Sequence, residues 1–220
     1  MNKILSVARL DFYTIKPYQK SLFGMVLIWL VLFLVFRSIG MIAAILMISL
    51  TLFATYPFSI GERYGLDTLY STLSVKRKHV VIGRYAFAFL IELIGTIVVL
   101  ILAVLPIFNA WEDITISEFL VVICILYAIC ALVIAAQYPI FFKYGYTKSK
   151  LFAYLPLMLI FLASTSIPLL IEFSNLDPAT LFDIAASNIY LIGIGFVVVG
   201  LVLQVLSCLL SCKLYEKRDL

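Results

Sequence analysis

Six long apolar runs, separated by short polar stretches, organise the 220-residue chain. Each is long enough for an α-helix to cross a hydrocarbon core of roughly 30 Å. The pattern predicts spans at about 18–36, 39–60, 85–106, 119–142, 151–171 and 188–212. Ahead of them, Ile4, Leu5, Ala8 and Phe12 recur at helical spacing, with Lys3, Arg9 and Asp11 elsewhere on the wheel. Residues 1–17 are too polar to span. They are predicted to form an amphipathic helix lying in the membrane interface, with Pro17 turning the chain into the bilayer. Pro57 should kink or fray the end of the second span. Thr115 followed by Glu118 is a capping-box pattern that opens the fourth. Between spans five and six, Asp177-Pro178 marks a short helix start, expected as a stub dipping into the outer leaflet.

Composition sharpens this into a class. The chain is 65% hydrophobic and 13% charged, where a soluble domain is about 45–50% and about 25%. It reads as an all-α polytopic membrane protein, a single transmembrane domain over 1–220, with no loop large enough to fold as a soluble unit. Cys124, Cys130, Cys208 and Cys212 all lie in apolar runs without a CxxC pair, so they read as small packing residues rather than a disulfide framework. No small-residue cleavage site follows the first run, which reads as a retained span. Small residues at Gly193, Gly200 and Ser207, and at Ala128, Ala131, Ala135 and Ala136, suit close helix approach. Packing within the chain and a face for a second copy both fit them.

Charge orients the spans. Of the 16 Lys and Arg residues, all but Arg37 fall on one side. Lys3, Arg9, Lys16 and Lys20 precede run one. Arg63, Lys76, Arg77, Lys78 and Arg84 lie between runs two and three. Lys143, Lys148 and Lys150 lie between four and five, and Lys213, Lys217 and Arg218 follow six. Glu112, Asp113, Glu118, Glu172, Asp177 and Asp183 gather on the other side. Positive loops stay cytoplasmic, so both termini are expected inside. The net charge of +4 follows from this topology and points to anionic inner-leaflet lipids, not to nucleic acid.

Most catalytic readings fail on inventory. The chain has no GxxxxGK[ST] phosphate loop and no HExxH, and a single histidine, His79, cannot build a histidine-rich metal site. No catalytic or metal-binding residue is expected, and no cofactor on this chain. Glu92 is the one ionisable side chain deep in a span, where a charge is costly. It is expected either to pair with Gln137, Thr51 or Ser164, or to line a transport path, with Gln137 the second polar candidate.

The segment 61–85 is the most informative. Leu66, Leu69, Tyr70 and Leu73 follow the spacing of an amphipathic helix. Glu62, Arg63 and Asp67 lie towards its start, and Lys76, Arg77 and Lys78 near its expected C-terminal end, where cations suit the dipole. Such a helix can rest on the inner leaflet or enter a groove on a soluble partner.

At these residues the chain resembles the permease subunits of ABC-2 type transporters, in particular the small six-span group of Gram-positive bacteria. The resemblance is carried by Glu62-Arg63, Leu69-Tyr70-Ser71-Thr72-Leu73-Ser74-Val75-Lys76-Arg77, Val80-Val81 and Arg84-Tyr85. Ser74 stands where the family usually has proline, and Lys76 replaces a small polar residue. The resemblance implies two permeases in the pathway, as a homodimer or with a related second permease. Two separate ATPase subunits, which hold ATP and Mg, would bind below. Residues 62–78 would be the coupling helix, with Glu62, Arg63, Leu66, Leu69, Tyr70, Leu73, Lys76 and Arg77 forming the attachment. Exporters of phenol-soluble modulins look most similar, which implies amphipathic or lipophilic cargo leaving across the cell membrane. Two rival readings are a non-transporting immunity or scaffold protein and a proton-coupled carrier using Glu92.

Overall fold

The computed structural model of the chain describes residues 3–16, 38–66, 76–104, 115–173 and 188–217, with positions 24, 26–29, 31, 32, 35 and 70. Among these, regular structure is entirely helical. The elements are α1 (Lys3–Ile15), α2 (Ile39–Phe53), α3 (Tyr56–Arg63), α4 (Arg77–Val104), α5 (Ile116–Tyr144), α6 (Tyr146–Ala153), α7 (Leu155–Phe173) and α8 (Ile189–Glu216).

Five stretches are long and apolar enough to cross a membrane: Ile39–Arg63, Arg77–Val104, Ile116–Tyr144, Tyr146–Ser166 and Ile189–Glu216. They correspond to the second to sixth expected spans. The first, 18–36, lies mostly outside the described residues, and the stub expected near 178–185 lies wholly outside them. Observed helices overrun the expected ends. α4 begins at Arg77 rather than near residue 85, and its 28 residues make a rod of about 42 Å. Its polar first two turns therefore extend past a hydrocarbon core of about 30 Å.

The break between α2 and α3 follows from Pro57, which has no N–H to give Phe53 and whose ring crowds that carbonyl. The chain steps through Ala54 and Thr55, and the Phe58 N–H turns to Thr55 O (3.1 Å). That leaves Ala54 O, fully buried, without its usual donor. The Tyr138 hydroxyl of α5 supplies one at 2.8 Å, since an unmet carbonyl in this setting is costly.

A second proline is handled the same way. Pro139 lies inside α5 and cannot donate to Ala135 O. Ser207 Oγ of α8 donates to that oxygen at 2.6 Å. α8 packs along α5 over most of their length. Gly200 sits against Tyr127, Ala131 and the Cα of Ala128, and Gly193 against Val121 and Cys124. The small-residue stripe is thus covered by α5 of the same chain and is not an open face for a second copy. The expected capping box is present: Thr115 Oγ1 accepts from Glu118 N (3.4 Å) and Glu118 Oε2 from Thr115 N (2.9 Å).

Two apolar clusters result. One joins Phe58, Tyr85, Tyr138, Phe141, Phe142 and Tyr215 near the basic ends of the helices. The other joins Ile42, Leu46, Met47, Val99 and Ile123 towards their opposite ends.

Candidate coupling face and buried polar contacts

The segment expected to reach a partner starts within α3, which ends at Arg63, and Leu66 and Tyr70, beyond a turn at Tyr64 and Gly65, are again helical. Glu62 Oε2 accepts from the N–H groups of Tyr146 (2.6 Å) and Thr147 (3.0 Å). A carboxylate there meets the unpaired amides and positive dipole end of α6. Gly145, which precedes α6, has φ 82°, a conformation that favours glycine. Arg63 is exposed, with its guanidinium carbon 5.9 Å from the Tyr64 ring centre.

Leu66 packs against the apolar cluster near the basic helix ends and Tyr70 is buried in it. Both face the chain's own core. Leu69 and Leu73 lie outside the described residues. Lys76 is exposed just ahead of α4.

Arg77 and Lys78 were expected to close the amphipathic helix, but they open α4. Cations at a helix start oppose its dipole, and a neighbouring helix end compensates. Arg77 Nη1 donates to the carbonyls of Tyr215 (3.2 Å) and Glu216 (2.9 Å), the last residues of α8. Lys78 pairs with Glu216 at 3.4 Å, an exposed contact of little weight alone.

Asp11 is the largest departure from the helical wheel. Expected on the polar face of α1, it is fully buried, and Val7, Ala8 and Ile15 share its face. α1 packs chiefly on α4, where Arg84 is also buried. The Arg84 guanidinium lies 4.4 Å from the Phe58 ring centre and 5.8 Å from that of Phe142. Within reach of its charge, Asp11 has no hydrogen-bond partner for either oxygen among the described residues. Burial pushes the Asp11 carboxyl up to about 6, against the opposing pull of Arg84.

The sign of the pH effect follows. The folded value lies above the unfolded one of 3.8, so the stabilisation from protonation is complete below 3.8 and is lost as pH rises through about 6. At neutral pH the ionised group weakens α1 docking by on the order of 3 kcal/mol. Amide exchange in α1, corrected for the intrinsic rate, is expected to slow between pH 7.5 and 5.5. Asp11→Asn should remove that dependence.

Deep in α4, Glu92 is buried and accepts from Gln204 Nε2 of α8. This partner replaces the expected Gln137, Thr51 or Ser164. Thr51 donates to Met47 O (2.9 Å) and Ser164 to Phe161 O (2.7 Å), each within its own helix. Gln137 is fully buried, and neither its Nε2 nor its Oε1 has a partner among the described residues. Gln204 was missed in the sequence although the chain has few amides in its spans. Pairing each such side chain with the buried acid would have found it.

Between these layers, the Tyr85 hydroxyl contacts Ser207 Oγ (2.5 Å) and Ser211 Oγ (2.9 Å). The proton order is determined. Ser207 gives its one hydrogen to Ala135 O, so it must accept from Tyr85, and Tyr85 in turn accepts from Ser211. The chain of bonds ends on the carbonyl that Pro139 leaves open.

Apolar helices of spanning length, with buried polar contacts where they face one another, define a helical membrane-embedded protein. The chain belongs to the ABC-2 family of transporters. The family model described as ABC-2 family transporter protein matches residues 8–216. No curated protein and no solved structure matches the chain. Members of this family are the transmembrane components of ABC transporters, associate in general with ABC ATPases, and are generally not catalytic themselves.

Proposed function

We propose that this chain is the export permease of an ATP-driven transporter in the cell membrane. It crosses six times, with both termini in the cytoplasm. Two separate ATPase subunits, holding ATP and Mg, work a pathway formed with a second copy or a related permease. The observation that carries the reading is the family match over nearly the whole chain, joined to the confinement of basic residues to one side. The 62–78 segment is the attachment point. Leu66 and Tyr70 turn inward, so the contact falls to Arg63 and Lys76, which are exposed, and, from the sequence pattern alone, to Leu69 and Leu73. Amphipathic peptides or other lipophilic molecules suit the apolar spans as cargo, by analogy with similar exporters.

Affinity purification of the chain from its native membranes tests this. Recovery of a stoichiometric P-loop ATPase is expected, and its consistent absence would defeat the proposal. Leu73→Asp places a charge on the attachment surface and is expected to lower ATPase recovery at least tenfold without reducing membrane insertion. Resistance to a toxic peptide that survives an inactivated ATPase would point instead to an immunity protein. Loss of function in Glu92→Gln, with no ATPase found, would point to a proton-coupled carrier.

A further inference from the structure

Among the described residues, α4 and α8 are joined by polar contacts of different kinds in three layers. On α4 they fall at Arg77 and Lys78, at Tyr85 and at Glu92. Positions 78, 85 and 92 are seven residues apart, about two helical turns, which keeps them on one stripe. Their partners run the opposite way along α8: the Tyr215 and Glu216 carbonyls with the Glu216 carboxylate, then Ser211 and Ser207, then Gln204. Sliding one helix past the other would break all three layers together, and unmet polar groups at membrane depth find no water.

Beyond Glu92 the stripe turns apolar at Val99. A cavity of about 350 Å³ there is lined by Leu93, Thr96, Ile97, Tyr127, Val197 and Leu201. The contact of α4 with α2 is also apolar. A Cβ on Gly95 would meet the flexible ends of Leu50, Met47 and Leu46, and among the described residues no polar contact between α2 and α4 fixes their register.

We propose that α4 and the polar-tied half of α8 move as one rigid unit. Arg77 is the positioning residue that fastens the segment before α4 to the end of α8. The inference rests on the transport reading, because that reading makes 62–78 the point where force arrives. Arg77 is the first residue of α4 and holds the last carbonyls of α8. A displacement of the segment therefore reaches both helices together, and both shift against α2.

The test uses the full chain purified with its ATPase, its four cysteines replaced by alanine. Spin labels go at the exposed positions Ile82 and Leu209 for the α4–α8 distance, and at Met41 and Leu209 for α2–α8. Distances are compared with and without a non-hydrolysable ATP analogue. The Ile82–Leu209 distance is expected to hold while the Met41–Leu209 distance shifts. Arg77→Ala should abolish the shift in the complexes that still carry the ATPase, isolated by co-purification. Arg77→Lys, which keeps the charge but not the two-pronged fork, should retain part of it. Tyr85→Phe should broaden the Ile82–Leu209 distribution, a readout that stands if Arg77→Ala does not fold.

A nucleotide-driven change in the Ile82–Leu209 distance would overturn the proposal. So would a Met41–Leu209 shift that is missing in the unmodified sequence or intact in Arg77→Ala. If no ATPase accompanies the unmodified chain, the transport reading fails first, and purification alone shows it.

Discussion

Arg84→Ala is expected to destabilise the protein by about 2–5 kcal/mol, the range for truncating a large buried side chain. Two effects add. The guanidinium fills the space between Phe58 and Phe142, and alanine leaves that space empty. Asp11 also loses the one opposing charge that favours its ionised form. The second effect gives a signature that packing alone would not. At pH 5, below the value of about 6 for the Asp11 carboxyl, the acid is neutral and the loss should shrink. Thermal unfolding in detergent, followed by labelling of the buried Cys130 with a thiol-reactive dye, reads both. A loss that is the same at pH 5 and pH 7.5 would show that the charges do not communicate.

Gly200→Val is expected to cost at least about 2 kcal/mol, through overpacking at the α5–α8 contact. A Cβ at this position would lie 3.1 Å from Tyr127 Cε1, 3.2 Å from Ala131 Cβ and 3.4 Å from the backbone Cα of Ala128. The tyrosine ring can swing, but the α5 backbone cannot yield unless the helices part. Parting them would also lengthen the Ser207 contact to Ala135 O. Gly95→Ala is the control. Its nearest neighbours are 2.8 and 2.9 Å away but are side-chain ends, so the change should be mild. Unfolding temperatures of the two variants, measured side by side, decide it, and equal losses would discount the rigid-wall argument.

The sequence shows the fold far better than it shows the contacts within it. Five of the expected spans can be read directly because apolar length alone decides them. The capping box at Thr115 and Glu118 is equally legible, since both partners lie within one helical turn. Asp11 was not, because a helical wheel assigns a charge to the wet side by default. Only Arg84, more than seventy residues away and itself counted as an interfacial cation, reverses that assignment. Arg77 misled for a related reason. Next to an amphipathic pattern it suits that helix's end, yet in space it serves the end of α8. Glu92 stood out by its cost, but its partner depended on which helix lies beside α4, and periodicity carries no information on neighbours. The family resemblance pointed to the 62–78 segment but gave no sign that Tyr70 is buried in the chain's own core.

The carbonyl that Pro139 leaves open in α5 bears on how the protein is made. Synthesis runs from the N-terminus, so α5 emerges from the ribosome well before Ser207 exists. Until the final helix arrives, this oxygen must be met by solvent or by the insertion machinery. Chains truncated shortly before Ser207 are therefore expected to insert yet be cleared by quality-control proteases, while those extended past the terminal serines persist.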